Sequence, residues 1–147
     1  KQWWMYAFGG ALLLLLTILY FFRKKKPVPA VPQIAAGINP YEKAMKELEQ
    51  LLQLKPGVKE FHSRLTGIFR LYIYQRKGIL SLQKTTDDLV LQLKDIGLPK
   101  DQFDKLSQAL RLSDFVKFAK YVPTNDDDRN CFDEIKKSIM ALEQSES

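Results

Sequence analysis

Acidic residues are missing from the first 26 positions of this chain, and positions 3–22 carry no charge of either sign. A helix at a protein surface keeps one polar stripe for water, and this stretch has none to offer. Cysteine and histidine occur once each, as Cys131 and His62. A lone cysteine excludes an intramolecular disulfide and fits a reducing compartment. Together the two cannot complete a four-ligand Cys/His zinc site. Glycine is sparse, with seven in 147 residues. None falls in a Walker-type or dinucleotide-binding pattern, so phosphate-loop chemistry has no support. No internal repeat period is present, which disfavours solenoids.

What is there begins with the uncharged run itself. Twenty residues at about 1.5 Å each span about 30 Å, the thickness of a bilayer's hydrocarbon core. Trp3, Trp4 and Tyr6 at one end and Tyr20 at the other stand where amphipathic rings meet lipid headgroups. Arg23, Lys24, Lys25 and Lys26 follow directly. A secretory signal peptide places its charge before the apolar run, whereas here the cations follow it. The charge bias therefore predicts a single-pass segment with Lys1 outside and the C-terminal side in the cytoplasm. Ala7 and Ala11 form a small-residue pair of a kind that is common by chance. That the chain opens on Lys1 leaves a removed signal peptide and a larger preceding part as open alternatives.

The net charge of +6 describes this membrane flank. Five of the 23 basic residues lie at Lys1 and at positions 23–26, leaving 18 to face all 17 acidic residues beyond Pro27. A nucleic-acid binder carries its basic excess on the folded domain. Here the domain is near neutral and no helix has a basic face free of acids, so no nucleic acid is expected as partner.

Residues 1–26 thus read as a transmembrane helix with a basic flank. A linker follows at 27–38, where prolines at 27, 29 and 32 favour extended polyproline II. A helical domain occupies 39–143, and 144–147 reads as a frayed tail. The domain has roughly a hundred residues, enough for one modest core.

Asn39 as cap and Pro40 at the first helical position open a helix with Tyr41, Ala44, Met45, Leu48, Leu51 and Leu52 on its apolar stripe. Lys55, Pro56 and Gly57 end it. A second helix over 58–77 carries Phe61, Leu65, Ile68, Phe69, Tyr72 and Ile73. It is the longest and most aromatic, so it is expected at the centre, with Arg64, Arg70 and Arg76 near its wet side. Thr85 or Thr86 caps a third helix with Asp87 and Asp88 in its first turn. Pro99 opens a fourth with Phe103, Leu106, Ala109 and Leu110 facing inward. Phe115, Phe118, Ala119 and Val122 are rotated from that face, which predicts a break near 112–113, with Ser113 capping a second piece. Thr124 and three aspartates announce the last helix, lined by Phe132, Ile135, Ile139 and Leu142. The fold class is all-α, an N-terminal transmembrane helix followed by a soluble bundle of five to six helices.

Chemistry is sparse. His62 directly follows core residue Phe61 and reads as structural or solvent-exposed, leaving a hydrolytic triad without a base. Asp126, Asp127 and Asp128 suggest calcium until the loop is counted. Positions six and twelve of an EF-hand would be Cys131 and Lys137 instead of Gly and Glu. The aspartates fit better as caps complementing a helix dipole, and their charge raises the Cys131 pKa. No catalytic residue, cofactor or metal is assigned.

The stretches RLTGIFRLYIYQRKGI, LQKTTDDLVLQL and LRLSDFVKFAKYVP resemble, in order and spacing, the cytoplasmic helical region following the membrane helix in BatD-like proteins of bacterial aerotolerance operons. The resemblance covers about 40–142, with 85–89 and 112–120 its most specific parts. It implies a bacterial inner-membrane protein working beside MoxR-type AAA+ ATPases and von Willebrand factor A-domain proteins, in envelope stress tolerance or complex assembly. The family carries β-sandwich domains outside the membrane. Here the chain opens on the membrane helix, as a fragment or a smaller relative would. The expected function is a non-enzymatic membrane adaptor whose helical domain binds protein partners, with a surface at Arg111, Lys117, Lys120 and Tyr121. A membrane-tethered regulator of a transcription factor or DNA, and an accessory subunit of a larger membrane complex, are the alternatives. In the motif itself, Phe115, Phe118 and Ala119 are expected in the core, with Asp114 and Lys117 a surface pair.

Overall fold

The computed structural model describes residues 2–23 and 37–146, which divide into two compact units at the Gly37–Ile38 boundary. Lys24, Lys25, Lys26 and all but the last two residues of the expected linker lie outside the described residues. So does the side chain of Arg23.

The first unit is one helix, α1 (Trp3–Arg23). Between Trp3 and Tyr20 none of its side chains is buried by protein. Thr17, its one hydroxyl-bearing side chain apart from the tyrosines, donates back to the carbonyls of Leu13 and Leu14 at 2.8 and 2.9 Å. The helix therefore satisfies the Thr17 hydroxyl internally and presents an apolar outside between its aromatic ends, as a solvent that cannot hydrogen-bond requires. It is long and apolar enough to cross a membrane.

The second unit consists of α2 (Pro40–Leu54), α3 (Val58–Lys77), a 3-10 turn (Ser81–Gln83), α4 (Thr86–Leu93), α5 (Lys100–Phe118) and α6 (Asn125–Gln144). Among the described residues there is no strand. The punctuation follows the sequence. Asn39 accepts from the Tyr41 amide at 2.9 Å, and Thr85 accepts from the Asp88 amide at 3.2 Å. Thr124 and Asp127 form a reciprocal capping box. Gly78 closes α3 at φ 69°, a left-handed conformation that costs glycine nothing.

As expected, α3 is central, packing against α2, α5, α6 and the 3-10 turn. Leu65, Phe69, Tyr72 and Ile73 are fully or almost fully buried along it. Leu48 and Leu51 of α2, Leu89 and Leu93 of α4, Leu106 and Leu110 of α5, and Ile135, Ile139 and Leu142 of α6 close around them. Each such side chain contributes about 1.5–3 kcal/mol of burial, before the entropy of ordering it is subtracted.

Several expectations change. The fourth helix does not break: α5 runs unbroken from Lys100 to Phe118. Its buried stripe continues as Leu106, Ala109, Leu110, Ser113 and Val116, so the phase never shifts. The residues that suggested a break do not face the core at all. Phe115, Phe118 and Val122 are 58%, 81% and 81% exposed, and Ala119 is exposed. Ser113 is fully buried and caps nothing. Leu52 is also half-exposed, outside the α2 stripe.

The arginines of α3 also differ from one another. Arg64 stays on the surface, paired with Glu60 at 2.7 Å. Arg70 instead reaches across to the turn, where Nη1 donates to the carbonyls of Ser81 and Lys84, both at 2.6 Å, and Nη2 to Thr86 Oγ1 at 3.1 Å. Ser81 Oγ returns a hydrogen bond to the Arg70 carbonyl. Arg76 Nη2 donates to Glu143 Oε1 at 2.6 Å, and Glu143 Oε2 accepts from Tyr72 at 2.9 Å. Glu146, just beyond α6, pairs with both Arg76 and Lys77 of α3.

Candidate functional site

Three features of the helical domain combine chemistry with position. The first is internal. His62 projects from α3 with no exposed surface, its ring edge-on to Phe61 with centroids 5.4 Å apart. Its Nε2 lies 2.7 Å from Asp128 Oδ1 on α6, and its Nδ1 lies 2.9 Å from Ser113 Oγ on α5. An ionised carboxylate can only accept, so Nε2 carries the hydrogen toward Asp128. In the neutral ring Nδ1 then accepts from the Ser113 hydroxyl.

The capping box at Thr124 sets the first turn of α6 and with it Asp128, while the α5 stripe sets Ser113. Of the two readings of His62, the structural one holds. The sequence reading missed both partners. A usable signal was present for one: Ser113 follows Leu106 and Leu110 at the helical period, which places it on the buried stripe.

Cys131 adjoins this node, buried, with Sγ 3.7 Å from the Ala109 carbonyl. Burial pushes its thiol up to about 11, with the charges of Asp128 and Asp127 adding to the rise. The expected rise is present, and desolvation leads the acidic neighbours as its cause.

The second feature is a groove of about 670 Å³ between the α2–α3 connection and the first half of α6. Leu51, Leu52, Val58, Phe61 and Phe132 make its apolar floor. Lys55, Arg129 and Lys136 stand around it with Asp128 and Asp133. Asp128 is taken by His62. Among the described residues the three cations form no ion pair. Lys55 has φ 44°, the left-handed closure that turns the chain from α2 into α3 at the groove's edge.

The third is the C-terminal end of α5, where the sequence placed Arg111, Lys117, Lys120 and Tyr121. The structure does not present these four as equivalent free groups. Arg111 lies 3.6 Å from Asp87. Lys117 lies mostly folded against the protein, 3.4 Å from Thr66 Oγ1 and 3.6 Å from Asp114, with its Nζ 5.4 Å from the Phe118 ring centroid. Tyr121 donates to Asp127 at 3.3 Å, and the charge of Asp127 raises the Tyr121 pKa. Lys120 is exposed, with φ 54° where the helix ends. What dominates this end is apolar: Phe115, Phe118 and Val122.

Among the described residues no three His, Cys, Asp or Glu side chains converge to hold a metal ion. The chain is thus an all-α domain preceded by a helix long and apolar enough to cross a bilayer. Compared with known protein families, curated proteins and solved structures, it matches none.

Proposed function

We propose that this protein is a non-enzymatic, membrane-anchored adaptor of the bacterial inner membrane, with its helical domain in the cytoplasm. One observation carries the reading: an apolar groove whose neighbouring cations, Lys55, Arg129 and Lys136, form no ion pair among the described residues. A partly exposed apolar groove beside cations without an ion pair complements a partner segment that combines apolar side chains with carboxylates. The non-enzymatic part is supported by burial. Ser113 and His62, the hydroxyl and imidazole of the one serine–histidine–aspartate alignment, both have no exposed surface. The inward orientation is supported by the cations following the apolar helix. The resemblance of 85–89 and 112–120 to BatD-like proteins supports a MoxR-type AAA+ ATPase or an A-domain protein as the partner.

The test is photocrosslinking in intact membranes from a benzoylphenylalanine placed at Val58, which lines the groove and is 42% exposed. Crosslinks to an AAA+ or A-domain protein, lost on Arg129→Glu with Lys136→Glu, are expected. Crosslinks only to RNA polymerase factors would favour the tethered regulator instead, and crosslinks only to integral proteins the accessory subunit. Crosslinks that survive both charge reversals would remove the groove from the proposal.

A further inference from the structure

The end of α5 leaves large apolar side chains exposed: Phe115 at 58% and Phe118 at 81%. At about 100° per residue, Arg111, Phe115 and Phe118 fall within about 60° of one another, opposite the buried stripe through Leu106, Leu110 and Ser113. Val122 continues the surface beyond the helix at 81% exposure, with Tyr121 at 45%. Through positions 115–122 the sequence FVKFAKYV holds two lysines and no acidic residue. Lys120 sits in a left-handed conformation that turns the chain there. Two phenylalanines and a valine left in water, beside the exposed Lys120 and a half-exposed tyrosine, form the side-chain set that inserts into a lipid headgroup region.

Position supports the same occupant. Sixteen residues separate the end of α1 at Arg23 from the start of α2 at Pro40. Fully extended they reach at most about 55 Å, so a bilayer crossed by α1 stays within reach of any face of a domain this size.

We infer that the end of α5, through Phe115, Phe118 and Val122 with Lys120, is a membrane-contacting edge that docks the helical domain on a bilayer bearing anionic headgroups. The inference rests on the membrane-spanning reading of α1 and is independent of the groove and of its partner.

The experiment uses residues 38–147, a compact unit whose buried core lies wholly between Ala44 and Leu142. Sedimentation is measured with vesicles of phosphatidylcholine alone and of phosphatidylcholine mixed with phosphatidylglycerol. The unit is expected to bind the mixed vesicles, and Phe118→Ser with Val122→Ser to lower partitioning about tenfold. Lys120→Glu is expected to weaken binding to the mixed vesicles only. Both apolar positions are largely exposed, so an unchanged helical circular dichroism spectrum accompanies the loss. Failure of the wild-type unit to bind mixed vesicles at low salt, or equal binding by the double serine variant, would overturn the inference. Self-association in the absence of vesicles that the same substitutions abolish would also overturn it, by making a second copy the occupant. None of these outcomes bears on crosslinking in the groove, so the two proposals fail separately.

Discussion

His62 and Asp128 stand 66 positions apart in the chain, yet the imidazole Nε2 and the carboxylate Oδ1 are 2.7 Å apart. With Ser113 on the other ring nitrogen, one side chain ties together α3, α5 and α6. The arrangement is satisfied only as a set, because each buried polar group depends on the next.

Removing Asp128 should therefore cost more than a surface carboxylate does. Asp128→Ala is expected to lower unfolding free energy by about 1–3 kcal/mol, the penalty for leaving a buried donor without a partner. His62→Leu in the Asp128→Ala background should cost less than either change would suggest by addition. Urea denaturation of the four members of that cycle measures the coupling, and simple additivity would show that the hydrogen bond contributes nothing.

Arg70 makes two hydrogen bonds to the segment between α3 and α4 and a third to Thr86 at the start of α4. Burial lowers its pKa, with the charge of Asp114 opposing. Arg70→Met should destabilise the unit by about 2 kcal/mol, since two turn carbonyls lose their donors. Arg70→Lys should recover only part of this, because an ammonium cannot reproduce the planar fork. Amide exchange at 79–86 should rise in both variants before the rest of the unit is affected; unchanged protection there would discount the clamp.

Lys120 occupies a left-handed conformation without being glycine. Lys120→Gly is expected to stabilise the unit by about 1 kcal/mol, relieving the contact between Cβ and the following carbonyl. A lower denaturation midpoint for the glycine variant would mean that other contacts of Lys120 outweigh its backbone.

Glu146 has its pKa lowered, first by the hydrogen bond from Lys77, with desolvation opposing it and the charges of Lys77 and Arg76 adding to the fall. A carboxylate depressed in the folded state adds stability above its unfolded pKa of about 4.3, and that stability is lost as pH falls through the lower folded value. Asp127 behaves alike, held down by hydrogen bonds within the capping box. Between neutral pH and the acid limb, Glu146→Gln should show a shallower loss of stability than the wild type. Parallel pH profiles for the two proteins would contradict the pairing of Glu146 with Lys77 and Arg76.

At Cys131 the sign is reversed in chemistry but not in logic. Its thiol is pushed up to about 11, chiefly by burial. The folded protein thus holds the proton that the unfolded chain releases near pH 8.5, and stability falls as pH rises from there toward the folded value. Labelling by a disulfide reagent at pH 8 should track unfolding, accelerating in urea, and a fast reaction with the native protein would refute the burial.

The helices themselves were legible because their signals are local. The α6 residues Phe132, Ile135, Ile139 and Leu142 repeat at the helical period, and all four are buried. Asn39, Thr85, Thr124 and Gly78 mark boundaries through groups that bond within a few residues. The apolar run at α1 is equally self-contained, since composition alone makes it unsuited to water. The pieces that could not be read depend on partners far along the chain. Ser113 looks like a cap until His62, 51 residues away, supplies a bond that lets a hydroxyl be buried mid-helix.

The sequence by itself determined where helices form, which one suits a bilayer, and where excess charge lies, because these follow from neighbouring residues. Only the tertiary structure decided that α5 is continuous, that Phe115 and Phe118 face outward, and that the groove's cations form no ion pair among the described residues. Those outcomes turn on which apolar face wins burial when helices compete for one small core. The helical period places Phe115 and Phe118 on a different face from Leu106 and Leu110. It cannot show that the core has no room for both.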